Sequence, residues 1–306
     1  MIQSLNPSAE LFLANVDRIQ YQINQAESEV SSGLKISQPS DSPDQLAGLM
    51  RIRADIDRNT QVTTNLSEVK AETDTAEQSL STATQLLDTV TSLGTQGANF
   101  TQTASSRQAM ALQVQGILEQ LVGLSNTTAQ GRFVFSGDQD QSPSYDLNLA
   151  NPNGVDRLLT TQATRQVTDT SGVSFTVGLT AQNIFDHRNP DDTLAPDNVF
   201  AAVNSLRLAL QSNDQAGITT ALTTLSTADT YLNSQLSFYG SVQNRIQSAQ
   251  TFAGQQNVQL QSALSQTQDA DITQAAVTLT QSQTQLQAAL SAQAARPRTS
   301  LFDFLG

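Results

Sequence analysis

The sequence contains no cysteine, no tryptophan and a single histidine, His187. Without cysteine the chain can form no disulfide and offers no thiol nucleophile, and a zinc site needs three or four Cys, His or carboxylate ligands. A Ser-His-Asp triad requires an imidazole, but His187 lies in a polar turn, where we interpret it as a solvated loop residue. We therefore predict no catalytic residue, no metal site and no cofactor.

Charged and aromatic residues are also scarce, at 14% and 5%, and their place is taken by Gln, Thr, Ser and Asn. This composition favours long, thin helices with narrow apolar seams over a compact enzyme with a thick core. The net charge of −13 repels phosphate groups, so we expect neither nucleic acid nor a membrane as a partner. No apolar run reaches the ~20 residues that span a bilayer, and residues 1–7 lack the features of a Sec signal peptide.

Two groups of acidic residues are candidates for calcium binding or acid–base chemistry. Residues 138–142 resemble the start of an EF-hand loop, but Pro143 and Leu149 occupy positions that require Gly and a bidentate Glu. Asp269 and Asp271 are close together, but nothing apolar or basic around them favours an acid–base pair. We expect Asp271 to cap a helix instead.

Apolar residues at alternating spacings of three and four predict long helices at both ends of the chain. We expect the first helix to stop at Gly33, and a second to start with Ser42 as N-cap and Pro43 in its first turn. A break is predicted near residues 94–103, followed by a third helix that ends at Gly131. The spacing is clearest in the first helix, at Leu5, Ala9, Phe12, Val16, Ile19, Ile23, Ala26 and Val30.

The pattern changes in the middle of the chain, where Pro, Asn, Asp and Gly are frequent. Residues 132–137 form a short strand-like run that ends in glycine. Alternation with polar or small residues predicts the second arm of a β-hairpin at Val173, Phe175, Val177 and Leu179. Helix is predicted again after Pro196, and its last part carries an apolar seam at Ile272, Ala276, Leu279, Gln283, Leu286 and Leu290.

We therefore predict a mainly α fold, a long antiparallel helical or coiled-coil bundle built from both chain ends, with a small β-rich inserted domain. The predicted domains are a terminal coiled coil (1–40 plus 260–306), a helical rod (41–131 plus 197–259) and a β-rich outer domain (132–196). The apolar stripes of the outermost helices could be covered within the chain, as an ordinary helix pair. We favour partial coverage by a neighbouring chain, because thin rods bury little surface of their own.

The candidate site is accordingly an assembly interface. On the two outermost helices we assign it to Phe12, Val16, Ile19, Ile23 and Val30, facing Ile272, Leu279, Leu286 and Leu290. An apolar tail with no evident partner within the chain completes it, and we predict that this tail serves assembly or export-chaperone binding; it consists of Leu301, Phe302, Phe304 and Leu305.

Motifs at both ends resemble the bacterial flagellin superfamily. Residues 31–36 (SSGLKI), which follow a heptad helix, are similar to the N-terminal region of flagellins and their hook-associated relatives. Residues 269–272 (DADI) are similar to the C-terminal region of the same proteins. Residues 39–43, 131–137 and 300–305 look more like the hook-associated protein 3 branch than like flagellin. The resemblance covers about the first 70 and the last 50 residues.

This resemblance implies a structural, non-enzymatic axial protein of the extracellular flagellum, exported by the flagellar type III apparatus with the help of a chaperone. It implies a homo-oligomeric ring or tube layer that joins hook-associated protein 1 to the flagellin filament, with the terminal helices innermost. Three alternatives remain open. They are a short flagellin, a secreted enzyme or adhesin carried on residues 132–196, and a coiled-coil adaptor unrelated to flagella.

Overall fold

Long helices dominate the computed structural model, which describes residues 7–295. The helices are α1 (Pro7–Ser32), α2 (Pro43–Gly97), α3 (Ala104–Ser125), α4 (Ala181–Ile184), α5 (Val199–Gln211), α6 (Gln215–Gln268) and α7 (Ile272–Ala294). The strands are β1 (Thr128–Ala129), β2 (Arg132–Phe133), β3 (Tyr145–Leu147), β4 (Val155–Arg157), β5 (Gln166–Thr168) and β6 (Ser174–Thr176). They pair as three antiparallel two-stranded sheets within the described residues, β1–β2, β3–β4 and β5–β6. The predicted mainly α fold with a small β-rich insert is confirmed.

The described residues form two compact units. The terminal unit contains residues 7–58 and 256–295, and the middle unit contains Asn59–Gln255. Helices α2 and α6 contribute to both. The division into three domains stays a prediction.

Four helices, α2, α3, α5 and α6, share the core of the middle unit, which includes the fully buried Leu87, Leu118, Leu206 and Leu225. Glycines let α2 approach its neighbours closely, since a Cβ at Gly94 would lie 2.8 Å from a methyl carbon of Leu222. The predicted break therefore begins later than Gly94. Helix α2 continues to Gly97, and α3 begins after its N-cap Thr103, whose hydroxyl accepts a hydrogen bond from a backbone N–H of its first turn.

The β-rich segment packs its hydrophobic side chains against helices of the middle unit. Hairpin β5–β6 buries Val167 and Phe175 against Leu66 of α2 and Ile246 of α6. The guanidinium of Arg245 lies 4.2 Å from the centre of the Phe175 ring. The hairpin predicted from the alternating residues is confirmed, with its second strand at Ser174–Thr176.

The predicted end of the third helix is wrong. Helix α3 ends at Ser125, and the chain then turns back as hairpin β1–β2. Gln130 and Gly131 form the turn with φ values of 52° and 78°. Gly131 therefore lies in the turn of a hairpin and not at the end of a helix. Of the predicted strand-like run, only Arg132–Phe133 is a strand.

A buried carboxylate, Asp186, ties the β-rich segment to α5. It is fully buried and accepts hydrogen bonds from Tyr145 Oη (3.0 Å), Arg188 Nε (2.8 Å), Asn153 Nδ2 (3.0 Å) and Asn198 Nδ2 (2.8 Å). Asn198 is also the N-cap of α5. Burial, and then the charge of Asp186, raise the pKa of Tyr145 far above its usual value, so this hydroxyl remains a donor.

Candidate assembly surface

The two chain ends meet at the motifs that lie after α1 and before α7. The backbone N–H of Lys35 donates to the carbonyl of Gln268 at 2.7 Å, and the N–H of Ala270 donates to the carbonyl of Gly33 at 2.9 Å. Gly33 has φ +71°, a conformation that glycine adopts without strain, and it ends α1 as predicted. These bonds place α1 and α7 side by side in antiparallel directions within the terminal unit.

Carboxylates fix the backbone around this junction. Asp271 caps α7 as predicted, since its Oδ1 accepts a hydrogen bond from Gln274 N at 3.1 Å. Asp41 Oδ2 accepts from Gln38 N at 2.7 Å and from Ser37 N at 2.9 Å. These backbone hydrogen bonds, with that of Gln38 first, hold the pKa of Asp41 below its usual value, so the loop is best ordered with this group ionised.

The cap of α2 differs from the prediction. Pro43 is the first residue of α2 as expected. The hydroxyl of Ser42, however, donates to Asp44 Oδ1 at 2.7 Å instead of accepting a hydrogen bond from the first turn. This hydrogen bond is the main reason that the pKa of Asp44 is lowered.

The seam between α1 and α7 pairs larger buried residues of α1 with small buried residues of α7. Ile19, Ile23 and Ala26 of α1 are 2–8% exposed, and Ala275 and Ser282 of α7 are each 3% exposed. The buried positions of α7 are therefore occupied by small side chains, while its leucines in the seam are only half-buried.

The predicted interface residues fall into three groups. Ile19 and Ile23 lie in the buried seam, and half-buried on its flanks are Phe12, Val16, Leu279 and Leu286. Val30, Ile272 and Leu290 are 36%, 55% and 52% exposed. The tail residues Leu301, Phe302, Phe304 and Leu305 lie outside the described residues. Ala275 and Ser282 were missed because neither residue stands out in a hydrophobic pattern.

The outward side of α7 forms a shallow trough of uncharged side chains, which we call the outer α7 face; it is lined by Thr273, Ala276, Val277, Thr280, Gln281 and Thr284. Val277 is 55% exposed at its centre. The hydroxyl of Thr280 donates to the carbonyl of Ala276 at 3.0 Å, and that of Thr284 donates to the carbonyl of Thr280 at 2.9 Å. Because these hydroxyls are paired within the helix, a partner could cover the face without leaving their donors unsatisfied.

Charge is absent from a long part of the C-terminal helices. Residues 246–268 and 272–295 contain no Asp, Glu, Lys or Arg, whereas α1 alone contains five such residues. Exposed helices in soluble proteins normally carry charges of both signs, which oppose association. The uncharged stretch therefore indicates a surface suited to contact. The sequence alone contained this signal, which the overall charge fraction did not reveal.

The residues considered for chemistry have structural roles. His187 is a loop residue with its side chain 40% exposed, and it is held in place there, because its Nδ1 lies 2.7 Å from Asp197 Oδ1 and its ring stacks on Tyr231 with centroids 4.7 Å apart. Asp140 forms an ion pair with Arg165 at 2.8 Å. Across residues 7–295, no group of three or more His, Asp and Glu side chains is placed to hold a metal ion. Over the same residues, no helix is long and apolar enough to cross a bilayer.

Comparison with known proteins places both chain ends in one family. The family model for the bacterial flagellin N-terminal helical region matches residues 4–140, and the model for the bacterial flagellin C-terminal helical region matches residues 218–305. Flagellar hook-associated protein 3 of Escherichia coli K12 is 25% identical over 191 residues, which are 60% of this chain and 58% of that protein. The match thus spans little more than half of the curated relative.

Solved structures share the fold. A Vibrio parahaemolyticus protein described as flagellar hook-associated aligns with a TM-score of 0.65 at 18% identity, covering 75% of this chain and all of that one. The flagellar junction protein FlgL of Legionella pneumophila aligns with a TM-score of 0.55 at 15% identity, covering 66% of this chain and all of that one. At these identities the comparison supports a common architecture.

Proposed function

Because this chain belongs to the bacterial flagellin family, and the models of that family's two terminal regions together match most of its residues, we propose that it is a structural axial protein of the flagellum. In this proposal it joins hook-associated protein 1 at the hook to the flagellin filament. Copies of the chain form a ring or tube layer outside the cell. The family is one of structural proteins, and no catalytic role is proposed.

The outer α7 face is the observation that carries this proposal. It lies on a helix that is fixed to α1 at the junction of the two motifs, it has no charge, and the hydroxyls of Thr280 and Thr284 donate within the helix. A surface of this kind loses little when water is removed from it, and the half-exposed Val277 and Leu290 gain from burial. The α1–α7 pair can therefore present one side to its own chain and another to a neighbouring copy.

A role at the junction, rather than as the filament subunit, is supported by the relatives described above, which are hook-associated proteins. Residues 39–43 and 131–137 point in the same direction by their resemblance to that branch. A short flagellin is the second candidate, because both family models describe flagellin regions. Abundance separates the two, since flagellin dominates a preparation of sheared filaments and a junction protein is a trace component.

We further propose that the chain is exported by the flagellar type III apparatus and that its C-terminal tail serves assembly or export-chaperone binding. Replacing residues 300–306 by a Gly/Ser segment of equal length removes its apolar side chains and keeps the chain length. We expect this variant to lose chaperone binding in a pull-down, or to be exported without joining the hook. Unchanged chaperone binding together with normal filaments would remove the tail from the proposal.

The decisive experiment deletes the gene and combines electron microscopy of cells with immunoblotting of the medium for flagellin. We expect hooks without filaments and flagellin lost to the medium, with recovery when the intact gene is supplied. Intact hooks with no flagellin antigen anywhere would identify the chain as the filament subunit instead. Normal filaments, in a strain with no second copy of the gene, would refute both flagellar roles.

A further inference from the structure

One dipeptide of the middle unit, Asn153-Gly154, is chemically labile. It is the single Asn-Gly pair in the sequence. In such a pair the backbone nitrogen of the glycine, once it has lost its proton to base, attacks Cγ of the asparagine side chain. The new N–Cγ bond closes a succinimide ring while Nδ2 leaves as ammonia, and water then opens the ring to aspartate or isoaspartate. Glycine favours this reaction because it has no side chain to hinder the approach.

The fold needs both residues of this pair. Gly154 has φ +78°, and a Cβ at this position would lie 2.8 Å from a methyl carbon of Leu118. Asn153 supplies a donor to a buried carboxylate, since its Nδ2 donates to Asp186 Oδ1 at 3.0 Å. A larger residue after Asn153, or a side chain without an N–H in its place, would therefore disturb the core. The core depends on two residues whose combination is chemically labile.

The folded chain restrains both atoms that would react. Asn153 is 4% exposed and Gly154 is also buried, so base and water have little access to them. The backbone N–H of Gly154 donates to the carbonyl of Asn151 at 2.9 Å, which holds the proton that has to leave. The side-chain amide of Asn153 is fixed by its hydrogen bond to Asp186, so its Cγ is not free to turn towards the glycine nitrogen.

We propose that Asn153 is a site of spontaneous deamidation that native packing suppresses, so that the reaction proceeds when this segment unfolds. Neither product can replace the asparagine. Each places a carboxylate where Asn153 placed a donor to Asp186, and isoaspartate also lengthens the backbone. Two carboxylates this close in a buried site repel each other when both are ionised. Time spent unfolded therefore reduces the fraction of chains that regain the native middle unit. This inference does not depend on a flagellar role.

Peptide mass spectrometry tests the chemistry. The intact protein is kept at mildly alkaline pH, either folded in buffer or unfolded in guanidinium chloride. Trypsin cleaves after Arg132 and Arg157, so one peptide contains both Asn151 and Asn153. Asn151 is the internal control, because Pro152 has no N–H from which the ring could form.

We expect the mass increase of amide to acid at Asn153 in the unfolded sample, with no comparable change at Asn151. The folded sample should react at least about a hundredfold more slowly, because the buried segment must first open locally. Similar rates in the folded and unfolded samples would overturn the inference, as would the absence of conversion in the unfolded chain.

Refolding tests the consequence. Samples aged for increasing times in guanidinium chloride are diluted into buffer, and the native fraction is collected by size-exclusion chromatography. This fraction should fall in step with the conversion of Asn153, and the chains that fail to refold should carry the modification. Asn153→Asp supplies one product without ageing and should lower the urea midpoint. Asn65→Asp makes the same change at an exposed position of α2 and should not.

Two results would show that the modification is harmless and would overturn the inference. One is that modified chains refold as completely as fresh chains. The other is that Asn153→Asp has the same urea midpoint as the parent protein. All these measurements use the isolated protein, so the gene-deletion experiment described above can fail while this inference stands, and the reverse also holds.

Discussion

Asp186→Asn should destabilise the middle unit strongly, because it changes one atom at the centre of a buried hydrogen-bond network. The carboxylate accepts hydrogen bonds from four side chains and faces the charged Arg188. An asparagine keeps one acceptor oxygen and places an NH2 group against two donors. Each lost hydrogen bond to a charged acceptor costs about 1.5–3 kcal/mol, so the free energy of unfolding should fall by about 3–5 kcal/mol.

Urea unfolding followed by near-UV circular dichroism measures this change. Tyrosine is the reporter, since the chain has no tryptophan, and Tyr145, Tyr231 and Tyr239 lie in the middle unit. Asp156→Asn is the matched control, because that exposed carboxylate accepts from two amide groups in the same segment; it should cost less than about 1 kcal/mol. A loss below 1 kcal/mol for Asp186→Asn would refute the view that this carboxylate organises the β-rich segment.

Three further substitutions test other parts of the structure. Val277→Asp should leave helicity unchanged and abolish assembly, as seen by sedimentation, whereas Asn15→Asp on α1 should be milder; equal assembly in both variants would exclude the outer α7 face. Arg107→Met should lower stability by about 2 kcal/mol in urea unfolding, because the Arg107 side chain donates to the carbonyl of Gly97 at 2.8 Å. Burial, and then the charge of Asp88, raise the pKa of Asp229 on α6, and this direction decides how Asp229→Asn changes the free energy of unfolding. The penalty of the charged carboxylate is complete above its folded pKa and absent below its unfolded pKa, so the variant should gain stability at pH 7 and lose that gain on acidification. A gain that is the same at pH 7 and pH 3 would contradict this assignment.

Helix ends and the α1 seam were predicted correctly where a few neighbouring residues determine them. The C-terminal end of α1 and the start of α7 followed from Gly33 and Asp271, whose roles depend on a few neighbouring residues. The heptad seam of α1 likewise identified Ile19 and Ile23, which are buried against the antiparallel helix. In each case one residue type meets one geometric requirement, so the local sequence is sufficient to predict the structure.

Features that depend on distant residues could not be predicted in this way. A helix break was predicted to begin at Gly94, but this residue lies inside α2, where an added Cβ would come within 2.8 Å of a methyl carbon of Leu222. The partners of Asp186 come from separate segments of the chain, so no local pattern identifies this residue. Only the assembled core shows that its charge is satisfied.

The outer α7 face combines two properties that suit contact between copies. It is uncharged, and the hydroxyls of Thr280 and Thr284 donate within the helix, so covering it costs little. Contact of this kind is also unselective, because no charge on the face penalises a wrong neighbour. Copies that met through this face alone would accept more than one orientation, so selectivity for one neighbour has to come from other parts of the chain.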